Sequence, residues 1–133
     1  MKSKNNKMNE ITLDVMRKIY GSDENYGVEL DWMGYEIDEK DNWATYHHIV
    51  SEANGGRDDI DNGAILGYRS CQMLHLIEKI DKDLYDSWNE VFLIINKMGT
   101  YPVPEVWSMI MNLQVQSEEL LKEQTKTFQK TRR

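Results

Sequence analysis

The chain has a single cysteine, Cys71, in 133 residues, so no intrachain disulfide can form. That usage points to a reducing, cytoplasmic setting. Proline occurs twice, at Pro102 and Pro104, where it interrupts a helical pattern. Long apolar runs are missing, and none approaches the roughly 20 residues that a bilayer crossing needs. The opening MKSKNNKMNE has no apolar stretch behind its lysines, so a secretory signal is not expected. Positive charge is also in deficit: 16 Lys and Arg stand against 23 Asp and Glu, a net charge of −7. Taken alone, that balance discourages a nucleic-acid partner, because phosphates repel negative charge. With 40% hydrophobic and 29% charged residues the composition is globular, and the length fits one domain over residues 1–133.

The charge is unevenly spread. Lys2, Lys4 and Lys7 place +3 on residues 1–7, and Lys122, Lys126, Lys130, Arg132 and Arg133 less Glu123 place +4 on residues 122–133. The body between them therefore carries −14. Such ends read as flexible basic tails, either solvated termini or arms that seek phosphate.

Apolar spacing predicts a helix over 8–20 from Ile11, Val15 and Ile19, with Gly21 as its stop. Residues 21–42 read as loop with a short strand near Tyr35 and Ile37. Residues 43–50 have strand composition, 51–63 are turn-rich, and 64–68 form a second short strand. A helix is expected to open at Ser70 as N-cap and run toward Gly99, either bent or split near Leu84. Pro104 suits the first turn of a last helix. Met8, Met16, Met73, Met98, Met109 and Met111 read as core filler. The expected fold is α+β and mostly helical.

All three histidines, His47, His48 and His75, fall within 45–78. Adjacent residues on a strand point to opposite faces, so His47 and His48 diverge. Four residues apart on a helix, Cys71 and His75 share a face. A hairpin packed on that helix would gather these side chains into a metal site. The same pattern also suits satisfied core histidines beside a small buried thiol.

The run from Thr45 to Glu78 resembles the HNH endonuclease superfamily and its ββα-metal motif. The resemblance rests on His47-His48-Ile49-Val50, Gly55-Gly56, Asp61-Asn62-Gly63 and Cys71-x-x-x-His75 at the family's intervals, within a core of about 43–80. It implies that His47 and His75 are metal ligands, that His48 is a general base acting on water, and that Asn62 holds the loop orienting His48. Asn62 is equally at home as a turn residue before glycine. Cys71 stands where the family has a harder ligand. With His47 and His75 it gives a softer set that suits Zn2+, with Mg2+ and Mn2+ as weaker fits. Arg57 and Arg69 are the nearest candidates to hold phosphate, although both also read as solvated loop charges.

Two functions follow. One is a metal-dependent DNA endonuclease of phage or mobile-element type. The other is a catalytically idle, zinc-stabilised acidic protein that blocks a basic nucleic-acid-binding partner such as a CRISPR effector, in the manner of anti-CRISPR proteins. The acidic run Glu78, Asp81, Asp83, Asp86 and Glu90 is either its contact face or a solvated helix surface.

Overall fold

The computed structural model describes residues 12–17, 29–99 and 102–131, with side chains up to 125. Lys2, Lys4 and Lys7, Met8, and residues 132–133 lie outside the described residues. Helix α1 is described over 12–17, strand β1 is Ala44–His48 and strand β2 is Gly63–Gly67. Helices α2 (Tyr68–Ile80), α3 (Lys82–Met98) and α4 (Pro104–Thr131) follow. The fold is α+β and mostly helical. Its two strands form one antiparallel sheet with His47 opposite Ala64 and His48 opposite Gly63.

β2 is buried at all five positions, which explains its continuous apolar sequence in place of alternation. β1 alternates enough to bury His47 and leave its neighbours half-covered. Trp88, Phe92 and Ile95 of α3 are fully buried, and the core continues into Leu74 and Ile77 of α2 and Ile110 of α4. Met16 and Met33 are fully buried as well. Met98, Met109 and Met111 are instead exposed, so half of the methionines read as core filler lie on the outer faces of α3 and α4. No described helix is long and apolar enough to cross a membrane.

One boundary differs from the sequence reading for an identifiable reason, and of the two alternatives near Leu84 the structure has the split. α2 opens at Tyr68, and Ser70 lies inside its first turn; the side chain of Asn42 caps it from a distance. Asn42 Oδ1 accepts from Arg69 N at 2.8 Å and Ser70 N at 3.4 Å. Gly67, just before the helix, has no room for a Cβ, because Asn42 would lie 2.2 Å away. α2 and α3 are separate helices, because Asp81 is extended and caps α3 by accepting from Leu84 N at 3.2 Å. The strand expected near Tyr35 and Ile37 is reduced to isolated bridges, Leu30 with Glu36 and Asp38 with Asn42. The C-terminal basic stretch is helical as far as Thr131.

Asp31 organises that irregular segment. Buried to 1% exposure, its Oδ1 accepts from Met33 N and Tyr35 N, both at 3.0 Å, and its Oδ2 from Gly67 N at 2.8 Å. Burial pushes its carboxyl upward, while bonds from Ser70, Gly67, Tyr35 and Met33 pull it back.

Candidate functional site

β1 ends where the chain must turn, and the loop 49–62 carries it back to β2. Gly55 takes a left-handed backbone with φ of 89°, which favours glycine. Gly56 is needed for a different reason: a Cβ there would lie 1.7 Å from Val50 O. Asn62 closes the loop. Its Nδ2 donates to Val50 O at 2.9 Å and Arg57 O at 3.0 Å, and its Oδ1 accepts from Val50 N at 2.8 Å. One amide side chain thus ties both ends of the segment that follows His48. Asn62→Ala is expected to cost about 1 to 2 kcal/mol, for lost bonds at a half-covered site. Amide exchange at Val50 should speed up more than exchange in α3; uniform acceleration across the fold would argue against a local clamp.

A cavity of about 200 Å³ opens beside this loop. His47, His48, Cys71 and His75 all line it, with Glu52 and Glu78. The two strand histidines leave β1 on opposite faces. His47, 5% exposed, packs edge-on to Phe92 at 5.6 Å, and its Nε2 lies 2.9 Å from Asn89 Oδ1. An amide oxygen only accepts, so Nε2 carries the hydrogen and Nδ1 keeps a lone pair. Burial lowers the His47 pKa to about 4, against the bond to Asn89, so its imidazole is neutral at pH 7. His48 is bonded through Nε2 to Asp58, with Glu52 Oε1 at 3.4 Å, and Tyr46 packs edge-on against its ring at 4.8 Å. His75 is more open, with Nδ1 3.6 Å from Glu78 Oε1, and its ring centre lies 6.4 Å from that of His47. Burial pushes the half-covered Cys71 thiol up, so it stays protonated unless a cation ionises it.

The expected ligands His47, Cys71 and His75 therefore share a cavity. Among the described residues, however, the group whose ligand atoms lie within 4.8 Å of one another is a different one: His48, Glu52 and Asp58. That His/Glu/Asp group could hold a metal ion. Glu52 and Asp58 were not among the site residues read from the sequence; the signal available was the fixed spacing His48–Glu52, four residues apart, and the Asp58-Asp59 pair after the Gly-Gly turn.

Neither arginine faces the cavity. Arg57, with 87% of its side chain exposed, lies 4.0 Å from Asp59. Arg69 lines a separate cavity of about 560 Å³ with Tyr35, Glu36, Asp41 and Glu118, and sits 3.8 Å from Asp41. Both cations are thus already placed beside carboxylates. On the acidic run, Asp86 pairs with Lys82 at 2.7 Å and Asp81 is spent on its cap.

Comparison of the chain with protein-family models, curated proteins and solved structures gave no match.

Proposed function

We propose that the chain is an HNH-like, zinc-binding, metal-dependent endonuclease that hydrolyses DNA phosphodiesters at the histidine cavity. The observation that carries this reading is the convergence of His47, His48, Cys71 and His75 on one cavity whose loop is clamped by Asn62. The donor chemistry of His47, Cys71 and His75 suits Zn2+: two imidazoles, one held neutral by burial, and one thiol that ionises on binding. A cation there would supply Lewis-acid stabilisation of charge on the phosphate and the leaving oxygen.

His48 is the general base of this scheme. Its Nε2 is committed to Asp58, so Nδ1 is the atom that takes a proton from water. The water oxygen bonds to phosphorus as the ester P–O bond breaks; the leaving oxygen takes a proton from bulk water, to which His48 then returns the one it accepted. Asn62 keeps the loop behind His48 from relaxing.

The test is nicking of supercoiled plasmid with Zn2+, Mg2+, Mn2+ or Ni2+, for the wild type and His48→Ala. Nicking that falls by about 100-fold or more in the variant supports the assignment. Equal nicking by both proteins, or none with any metal, overturns it.

A second reading has its own observation. Among the described residues the cavity wall carries Glu52 and Glu78 and neither Lys nor Arg, and Arg57 and Arg69 are each beside an Asp. That setting favours a catalytically idle, acidic, zinc-stabilised protein that binds and inhibits a basic defence nuclease, as anti-CRISPR proteins do. It predicts no nicking, no DNA binding at low salt, and inhibition of such a nuclease on mixing.

A further inference from the structure

Four consecutive carbonyls in the loop, from Arg57 to Ile60, all accept from side chains, three of them from outside the loop. Arg57 O accepts from Asn62 Nδ2 at 3.0 Å, and Asp58 O from Thr12 Oγ1 of α1 at 3.5 Å. Asp59 O accepts from Tyr46 Oη of β1 at 2.7 Å, and Ile60 O from Asn96 Nδ2 of α3 at 2.6 Å. A surface loop of this length needs no such reinforcement to reverse the chain. The residue at its centre is Asp58, 16% exposed in its side chain, with its carboxylate on His48 Nε2. An ionised carboxylate has no hydrogen to give, so the imidazole must donate.

We propose that Asp58 is a positioning residue that fixes His48 as its Nε2–H tautomer, with the Nδ1 lone pair turned to serve as the base. The tautomer rests on the contact between Nε2 and the Asp58 carboxylate; its catalytic use rests on the endonuclease reading above. Glu52, exposed and 3.4 Å from the same nitrogen, is a weaker second acceptor. Tyr46 does double duty, holding the loop through its hydroxyl and the His48 ring through its edge contact. The logic is that of a carboxylate orienting a catalytic imidazole, here built on a loop.

The test is proton NMR of the folded protein without added metal, with the His48 ring N–H resonance assigned by its loss in His48→Gln. A downfield, slowly exchanging Nε2–H is expected in the wild type and in Glu52→Ala. It should vanish in Asp58→Ala and move upfield in Asp58→Asn, which keeps the shape but presents a neutral acceptor. Absence from the wild type, or persistence unchanged in both Asp58 variants, overturns the proposal. So does replacement of that proton on adding Zn2+ or Mn2+ to wild type and to His75→Ala alike, because the triad is then a cation site. In the nicking assay Asp58→Ala should lower kcat by about 100-fold with KM preserved. A resonance that behaves as expected in a protein that never nicks leaves the positioning intact and refutes only the hydrolytic role.

Discussion

Asp31→Ala should destabilise the fold by about 3 to 5 kcal/mol, the largest effect expected from any single substitution outside the apolar core. Three backbone N–H groups, from Met33, Tyr35 and Gly67, end on this one carboxylate. Truncation leaves all three in a region with no room for water-exposed alternatives, since Met33 and Gly67 are buried. Hydrogen bonds to a charged acceptor contribute about 1.5 to 3 kcal/mol each, and their loss is not additive. Domains of this kind have about 5 to 15 kcal/mol in total, so the variant would sit close to its unfolding threshold. Asp31→Asn should fall between. Its amide oxygen can serve either Met33 and Tyr35 or Gly67, and its NH2 must then face a donor on the other side. Urea unfolding of the three proteins gives the ranking; an Asp31→Ala variant within 1 kcal/mol of wild type would show that the segment 29–35 relaxes freely.

Acid should weaken the metal-free protein through His47. The folded imidazole titrates near 4 because it is buried, against 6.5 for the ordinary group. Between those values the unfolded chain binds a proton that the folded chain refuses, so unfolding is favoured as pH falls. The contribution is complete above about pH 6.5, declines through pH 5, and is gone below about pH 4. Its size, from a shift of this extent, is about 3 kcal/mol. Denaturant midpoints measured in chelator at pH 7.5, 6, 5 and 4 should therefore fall more steeply for the wild type than for His47→Gln, which has no proton to accept. Parallel curves would place the acid sensitivity elsewhere.

Much of the site was legible because its residues are chemically uncommon and close in sequence. Three histidines and one cysteine in 45–78 fall on one strand and one helix, and the β-branched and aromatic content of 43–50 marks that strand. The alternation rule separated the His47 and His48 side chains, and the structure buries His47 while leaving His48 half-covered. Asn62 was singled out through its interval from His48, and in the structure its side chain bonds to Val50 and Arg57. What stayed hidden are the partners supplied by tertiary contact. Asn89 and Asn96 lie on the stripe of α3 that holds Tyr85 and Phe92, where a polar residue on a buried face was the available signal. Asp31 and Asn42 sit in a stretch rich in Asp, Glu, Asn and Gly, where composition alone reads as solvated loop. Nothing local distinguishes an aspartate that caps its own turn from one that also secures a strand 36 residues away. The arginines failed in the opposite sense: proximity in sequence to the motif did not carry them to the cavity, because Asp59 and Asp41 lie nearer.

β2 has a consequence beyond the site. The side of the strand turned away from β1 is occupied at alternate residues: Asn96 donates to Gly63 O, Trp32 N to Ile65 O, and Gly67 N donates to Asp31. A five-residue apolar strand with that flank open would be a template for pairing with a second chain. Here an asparagine, a turn amide and a carboxylate do what a third strand would do, so this apolar strand is shielded by polar groups. Loss of Asp31 would therefore show itself twice, as lower stability and as a new tendency to form fibrils.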